Sequence, residues 1–477
     1  MTRARGWAAA ACAASIALGA GCGGSSQGAT DAQLRVVVDD LTHDVFTGVG
    51  LASGRQRFHV PGTALTVIPV GEPLRTYTSG VANIATDEPR LADQVQPVGS
   101  NTKVMTAVLV MQLVEDGEIG LDETLPRIAA AHRADGGRLA RLVRKFERRV
   151  HRITLRELLN HTSGIADCLD SPAFARSFAR NPLRRWTLAE LSRIGLSEKP
   201  EFPPGAPGKW NYSDTEYMLL GMVIEAVTGD SVRERMQALF DEAGMRRSYY
   251  APSPRALSRP PLSRMIVQGY MPIPPQREQL PAAFAAFDRA SVADAVVSHP
   301  AAVEAVQVHT PTGGPAVEVT PAPPREARRA GGVDRFRYQN VTTAYSQSLG
   351  LSAGAVVTST EDLARFWRGL FAGRLVREET LEEMKRTVPT GENEPGVTTR
   401  WGLGFGEQIF APNALYPGSL PGRVWMHLGD IFGYASAGYF VENQGLVVTN
   451  ATNLFPQPVG DLGLLRNVLR AWQAPAG

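Results

Sequence analysis

The order of apolar patterns along the chain predicts a mixed fold. Residues 31–46 have an apolar spacing of about 3.6 residues, which predicts an amphipathic helix. Two β-branched runs follow, FHVPGTALTVIPV and LRTYTSGVANI, and they predict a pair of antiparallel strands. The run after Ser100 is apolar on nearly every side and stops near Asp116-Gly117, which predicts a buried helix.

The last part of the chain returns to strand patterns. WGLGFGEQIF, VWMHLGD, YASAGYFVEN and GLVVTNAT are short apolar or alternating pieces, typical of an antiparallel sheet. Helices are predicted on either side of them, one capped around Ser359-Thr360 and one at LGLLRNVLRAW. Strands at both ends of the chain predict an α/β (α+β) fold: an antiparallel β-sheet flanked by helices, with an inserted mostly helical region.

We divide the domain accordingly. The α/β lobe is predicted at 34–105 and 345–477, and the helical lobe at 106–251. Between Pro252 and Pro324 lie 14 of the 34 prolines, so a partly irregular insertion is predicted at 252–344.

A basic segment, residues 132–152, carries eight Arg or Lys and two acids around one apolar stripe: Leu139, Leu142, Val143, Phe146 and Val150. It fits an amphipathic helix lying on anionic lipid. It also fits a charged, solvated face over a buried stripe, which is the commoner arrangement.

Residues 1–21 have a basic start, an apolar stretch and small residues, which predict a secretory signal. Cys22 resembles the lipidated cysteine of a bacterial lipoprotein, although Leu18 lies one position further upstream than usual, so an ordinary signal peptidase site is the alternative. Residues 22–33 would then form a flexible linker. We expect an exported protein of the cell envelope, held at the membrane by a lipid anchor on the periplasmic or extracellular side.

Charge and cysteine content exclude other classes. With 49 basic and 47 acidic residues the formal charge is +2, so no nucleic-acid partner is expected. If Cys12 and Cys22 belong to the leader and its cleavage site, Cys168 has no partner for a disulfide and is expected to be a small buried hydrophobe. Three cysteines and eight histidines show no ligand spacing, so we expect no metal and no cofactor.

Lysine is rare here, since only five occur among 49 basic residues, yet Lys103 stands three positions after Ser100. That spacing brings both side chains to one face of a helix. A serine hydroxyl needs a base beside it, and a desolvated lysine can be neutral near pH 7, whereas arginine cannot. The N–H of Ser100 can also hold an oxyanion. A lysine snorkelling from a helix end is the alternative.

Two further segments carry candidate chemistry. Tyr212, in a Pro/Gly-rich loop before a helix, can relay a proton, or it can simply be packed with its hydroxyl on a carbonyl. Gly429 allows a substrate backbone to approach, and the N–H of Asp430 can complete an oxyanion hole. His427 has no second histidine or acid at triad spacing, so we expect a polar neighbour and not a base.

Together, SNTK at 100–103, YSD at 212–214 and HLG at 427–429 resemble the serine β-lactamase and penicillin-binding-protein superfamily. The class C-like branch, with D-alanyl-D-alanine carboxypeptidases, D-aminopeptidases and esterases, is the most similar, and ITLRELLNHTSGI, AGAVVTSTEDLARF and WGLGFG support it. The resemblance implies that Ser100 is the acylated nucleophile, Lys103 its base partner and Tyr212 the proton relay. It further implies that residues 427–429 form the edge strand that holds substrate.

Two positions depart from the superfamily pattern. Asp214 replaces an asparagine, and its carboxylate either holds Lys103 charged or joins a neutral network. Leu428 replaces a threonine and so removes a hydroxyl that could bind a substrate carboxylate. We therefore expect an exported serine hydrolase that forms an acyl-serine on an ester or amide, with a small-molecule or peptide substrate that includes fragments of peptidoglycan. A non-catalytic cell-envelope binding protein on the same fold is the alternative.

Overall fold

The protein was analysed as a computed structural model, which describes residues 31–43, 46–48, 56–58, 60–251, 253–272, 294–298, 308–309, 335–415, 419–455 and 461–473. The predicted leader and Cys22 lie outside these residues, and the signal and lipidation stay predictions. The first helix begins at Asp31, so the last three residues of the predicted linker are helical.

The helices follow the predicted order. Within the described residues they are α1 (Asp31–His43), α2 (Asn101–Glu115), α3 (Leu125–Ala131), α4 (Arg138–Lys145), α5 (Glu147–Val150), α6 (Leu155–Leu159), α7 (Pro172–Arg180), α8 (Leu188–Ser197), α9 (Asp214–Thr228), α10 (Val232–Glu242), α11 (Pro254–Leu257), α12 (Leu262–Met265), α13 (Leu351–Gly354), α14 (Thr360–Phe371), α15 (Glu378–Met384) and α16 (Asp461–Gln473).

The strands cluster at the two ends of the domain and in the insertion. They are β1 (Phe46–Gly48), β2 (Gln56–Phe58), β3 (Gly62–Ile68), β4 (Arg75–Asn83), β5 (Glu88–Pro89), β6 (Gln96–Pro97), β7 (Tyr249–Tyr250), β8 (Tyr270–Pro272), β9 (Asp294–Ser298), β10 (Val308–His309), β11 (Arg335–Asn340), β12 (Val356–Thr358), β13 (Val388–Glu394), β14 (Val397–Trp401), β15 (Gly406–Phe410), β16 (Gly422–Ile431), β17 (Tyr434–Val441) and β18 (Leu446–Thr452).

One large sheet joins the two ends of the chain, as predicted. Its order is β10-β4-β3-β18-β17-β16-β15-β14-β13, with β5 beside β4, and every pairing is antiparallel. The two ends of the chain meet where β18 pairs with β3, with Thr449 opposite Thr66. Strand β13 was not predicted, because its sequence VPTGENE is polar and lacks strand periodicity.

Helices cover both faces of this sheet. Helices α1 and α16 pack on one face, where Leu34, Val38, Leu465 and Val468 meet the sheet in one apolar cluster. Helices α2 and α14 lie on the other face, which joins the core of the helical lobe. Helix α14 starts as predicted, because the Oγ of Ser359 accepts the N–H of Asp362 at 3.2 Å.

The basic segment is not one helix. It is divided between α4 and α5, and Leu139, Leu142, Val143 and Val150 are buried in the main core while Phe146 is partly buried. The apolar stripe is therefore occupied by protein, and the charged face is solvated. No helix among the described residues is long and apolar enough to cross a bilayer.

The insertion contributes regular structure where it is described. Strands β8, β11 and β9 form a three-stranded antiparallel sheet, and β10 pairs with β4 at the margin of the large sheet. The expected partly irregular segments between them fall outside the described residues.

The contact between β17 and α14 gives a test of the sheet packing. A Cβ added at Gly438 would lie 2.0 Å from Nε1 of Trp367, a rigid and fully buried ring. We expect Gly438→Ala to lower the free energy of unfolding by about 1–3 kcal/mol, because the ring has to move in a filled core. The measurement is urea unfolding followed by circular dichroism.

Gly422→Ala in the neighbouring strand β16 is the matched control. There the nearest atom to the added carbon, Nδ2 of Asn443, is 3.8 Å away, which is ordinary contact. We expect a change within about 0.5 kcal/mol. Equal losses in the two variants would contradict this account of the packing.

Candidate active site

The predicted serine and lysine meet at the start of α2. Ser100 occupies the N-cap position, and its side chain makes no capping hydrogen bond, so the hydroxyl is not used by its own helix. Lys103, one turn later, donates from Nζ to Oγ of Ser100 at 2.9 Å. Lys103 has no exposed surface, so its amine is directed into the site and not into solvent. A snorkelling lysine is thereby excluded.

The backbone before the serine lies against strand β16. Gly99 has a positive φ of 49°, and a Cβ there would lie 2.9 Å from the backbone nitrogen of Asp430 and 2.8 Å from its oxygen. Only glycine fits this approach. The backbones of Ser100 and Asp430 therefore adjoin, as the predicted oxyanion hole requires, while the side chain of Asp430 is exposed.

Asp214 determines the charge of the lysine. It is the first residue of α9, and its Oδ1 contacts Nζ of Lys103, which also donates to the carbonyl of Ala353 at 3.3 Å. Burial alone lowers the pKa of Lys103, but the charges and hydrogen bonds of Asp214 and Tyr212 outweigh it and raise that pKa above its ordinary value. The expectation of a neutral lysine is wrong for this resting structure, and the alternative of a charged one is supported.

Tyr212 is the third polar side chain of the site, beside Ser100 and Lys103. Nζ of Lys103 lies 4.7 Å from the centroid of its ring, and interactions of its hydroxyl with Lys103 and Ser100 lower the pKa of the phenol. Burial raises the pKa of Tyr212 to about 12, although the charge of Lys103 lowers it in part. The phenol is therefore protonated at neutral pH. Three groups from two distant segments thus share one network.

Asp167 lies behind this network and was not predicted. Its Oδ2 accepts the N–H of Asp214 at 3.1 Å, at the N-terminus of α9. Burial, followed by the neighbouring charge of Asp214, raises the pKa of Asp167 to about 7. Its neighbour Cys168 is buried, as expected for a small hydrophobe, and burial raises the pKa of its thiol.

His427 is a neutral neighbour of the site. Its Nδ1 lies 2.6 Å from the carbonyl of Leu428, and a carbonyl can only accept, so Nδ1 carries the proton. Its Nε2 is buried without a protein partner and presents a lone pair. Burial and then the charge of Lys103 lower the pKa of His427 to about 3. A general base at this position is therefore disfavoured, as expected.

The expectation for Leu428 in strand β16 is wrong, and the approach of a substrate backbone at Gly429 stays a prediction. The side chain of Leu428 packs against the apolar cluster of α1 and α16 on the opposite face of the sheet, so its identity does not alter the cleft in the way proposed from sequence. A Cβ at Gly429 would lie 1.9 Å from the carbonyl oxygen of Val98, so that glycine admits the protein's own backbone. Strand β15 pairs with β16 only as far as Met426. Residues 427–431 of β16 therefore have no β15 partner on that side.

Sequence reasoning missed the aromatic wall of the site. Rings of Trp210, Tyr212 and Trp401 pack around His161, and the ring of His427 contacts Tyr212 and Trp401, with its centroid 5.2 Å from that of Trp401. His161 and Trp401 lie in ITLRELLNHTSGI and WGLGFG, which had served only to identify the superfamily. Their order in the chain gives no sign that they meet.

Comparison with known proteins agrees with this geometry. The sequence matches the protein family described as "Beta-lactamase" over residues 51–471, most of its length. The chain belongs to the Beta-lactamase family. This is a family of serine hydrolases that includes penicillin-binding proteins, so the predicted superfamily and fold class are confirmed.

Individual relatives are more distant. "Penicillin-binding protein 4" of Amycolatopsis lactamdurans is 31% identical over 250 residues, 51% of this chain and 59% of that protein. "Monacolin J acid methylbutanoyltransferase" of Aspergillus terreus is 30% identical over 175 residues, 34% of this chain and 40% of that protein. The matches thus span about three fifths or less of these curated relatives.

Solved structures cover more of the chain. A D-stereospecific amidohydrolase from Streptomyces sp. has a TM-score of 0.57 at 25% identity and covers 87% of this chain and 94% of its own. A D-amino acid amidase from Ochrobactrum anthropi SV3, complexed with L-phenylalanine, has a TM-score of 0.63 at 20% identity and covers 93% and 98%. At 20% identity, the likeness to this amidase concerns the fold alone.

The charge of Lys103 can be tested through Asp214. Asp214→Asn keeps an oxygen for the ammonium but removes the negative charge that raises the pKa of Lys103, so burial then lowers that pKa. If acyl transfer requires a neutral Lys103, activity should appear at a pH about 1–3 units lower than in the wild type. The measurement is kcat/KM for p-nitrophenyl acetate between pH 5 and 10, over which the wild type should still be rising while Asp214→Asn levels off. Identical pH profiles of the two proteins would show that another group titrates.

Proposed function

We propose that this protein is a serine hydrolase that transfers an acyl group from an ester or amide to Ser100 and then to water. The observation that carries the proposal is the 2.9 Å contact between Oγ of Ser100 and Nζ of Lys103, with the hydroxyl of Tyr212 in the same network. A nucleophile, an amine and a phenol in mutual contact are the parts that acyl transfer needs.

The proposed reaction has two halves. Oγ of Ser100 attacks the carbonyl carbon, its proton passes to the amine of Lys103, and the oxyanion is held by the backbone N–H groups of Ser100 and Asp430. Tyr212 gives its proton to the departing alcohol or amine and is reprotonated from Lys103. Water then attacks the acyl-serine by the reverse proton path and releases the acid.

The resting charges govern when this can occur. Because Lys103 is an ammonium and Tyr212 a phenol, the network has to lose one proton before it can accept that of the serine. Asp214 makes this loss harder. Activity is therefore expected to rise on the alkaline side of neutrality.

The HLG motif at 427–429 supports a substrate without a carboxylate beside the scissile bond. His427 is neutral and offers an acceptor lone pair, whereas a cation there would attract a carboxylate. The likeness to proteins named D-stereospecific amidohydrolase and D-amino acid amidase agrees with an amino acid amide. We therefore favour small esters and amino acid amides over β-lactams and D-alanyl-D-alanine peptides.

A binding protein without catalysis is the second candidate. The ion pair of Lys103 and Asp214 favours it, because it stabilises the protonated amine, which cannot act as a base. The intact contact of Ser100 with Lys103 opposes it.

We also propose that the protein is exported and tethered by a lipid at Cys22. Support comes from the basic and apolar leader pattern followed by Gly-Ala-Gly-Cys. Intact-mass analysis of the protein from membranes of its host should show a diacylglyceryl group on an N-terminal Cys22, and an N-terminus at another residue would contradict the anchor.

Labelling with a fluorophosphonate separates the two functions. We expect the purified wild type to be labelled and Ser100→Ala to lose labelling by at least about 10⁴-fold, because no other group replaces the nucleophile. Gly422→Ala, which lies away from the site, should label like the wild type. Absence of label with every acylating probe, including fluorescent penicillin, would favour the binding protein.

The substrate class is then determined by rates. The panel comprises p-nitrophenyl acetate, D-phenylalanine amide, nitrocefin and a D-alanyl-D-alanine peptide. We expect kcat/KM for the ester or the amide to exceed that for the last two. The reverse order would contradict the argument from His427.

A further inference from the structure

One histidine contacts the chain on both sides of Tyr212. The backbone carbonyl of His161, just after α6, accepts the N–H of Asn211 at 3.1 Å. Nδ1 of the same residue accepts the N–H of Ser213 at 3.3 Å. Its ring lies on the phenol ring, with centroids 4.4 Å apart and 39° between the planes. The residues before and after Tyr212, and its ring, therefore all contact His161.

The protonation of this imidazole follows from its partners. A backbone N–H can only donate, so Nδ1 carries a lone pair and the ring proton is on Nε2, where it is buried without a hydrogen-bond acceptor among the described residues. Nδ1 also contacts Oε2 of Glu216, and two lone pairs cannot share a hydrogen bond, so the proton between them belongs to Glu216. Ser163 donates to the other oxygen of that carboxyl group.

Burial favours the same neutral pair. His161 and Glu216 both have no exposed surface. Burial, with the charge of Lys103, lowers the pKa of His161 well below its ordinary value, and burial raises the pKa of Glu216 well above its own. A carboxylic acid donating to an imidazole buries no net charge.

The backbone of His161 supports a role beyond filling space. Its φ is +62°, in the left-handed region that few residues other than glycine adopt. Such a conformation persists where surrounding contacts impose it. Here the contacts include those to Asn211 and Ser213.

We propose that His161 is a positioning residue for Tyr212: with Glu216 behind it, it holds the phenol where it can exchange a proton with Lys103 and Ser100. This inference rests on the proposed function, in which Tyr212 relays a proton. Proton transfer depends steeply on distance, so a loosened phenol should slow acylation and leave substrate binding nearly unchanged.

The test uses the full-length protein with three variants. His161→Asn tolerates a left-handed backbone but removes the ring. Glu216→Gln keeps a donor for Nδ1 and an acceptor for Ser163, and so tests whether the carboxyl group acts as a neutral acid. Met236→Ala, in the core of α10, is a destabilising control away from the site. Rates with p-nitrophenyl acetate, labelling by a fluorophosphonate and thermal unfolding are measured for each.

We expect His161→Asn to lower kcat and the labelling rate by about 10- to 100-fold with KM changed less than about threefold. Glu216→Gln should stay within about threefold of the wild type in rate. A folded His161→Asn that reacts as fast as Met236→Ala would overturn the proposal. A large loss in Glu216→Gln would overturn the assigned neutral pair.

Measurements on the wild type keep the proposal open to refutation if a variant does not fold. Nitrogen NMR of the histidines should show His161 as a neutral ring with its proton on Nε2 from pH 6 to 9. A proton on Nδ1, or an imidazolium, would overturn the assignment. These spectra do not depend on catalysis. If no probe labels the wild type, the proposed function is contradicted, and the NMR spectra alone decide the protonation assigned to His161.

Discussion

The structure of the site depends on one buried cation and its counter-charge. Lys103 has no exposed surface, and an unpaired ammonium in such a place would cost about 3–5 kcal/mol. Asp214 supplies the negative charge from the first position of α9, where the positive end of the helix dipole stabilises a carboxylate. The starts of α2 and α9 are therefore held together, and Tyr212, two residues before Asp214, is brought to Ser100.

The large sheet provides the other fixed reference. Gly99 and Gly429 both lack a side chain where the backbones of the helix start and of β16 meet, so Ser100 is held directly beside the edge of the sheet. Helix α2 is buried almost throughout its length, which prevents it from turning about its axis. The nucleophile is thus placed by packed backbone, and the acid–base groups are placed by buried polar contacts.

Much of this could be predicted from the sequence, for identifiable reasons. The strands β3 and β4, the buried helix α2 and the cap of α14 follow from local periodicity and capping residues. The meeting of Ser100 with Lys103 follows from helical spacing alone. The loop before a helix indicated Tyr212 as a candidate, but its meeting with Lys103, 109 positions away, could be predicted only through resemblance to a superfamily. His161, Glu216 and Asp167 could not be predicted as a group, because their relation is a matter of how α6 and α9 pack.

Local sequence determined which groups are present and which elements carry them: a serine and a lysine on one helical turn, a tyrosine before a helix, a sheet made from both chain ends. Tertiary structure decided their chemical state. It made Lys103 an ammonium by placing Asp214 against it, left His427 neutral by burying it, and directed the side chain of Leu428 to the opposite face of the sheet. The physical reason is that protonation and side-chain environment depend on solvent exclusion and on charges from distant segments, which no local pattern encodes.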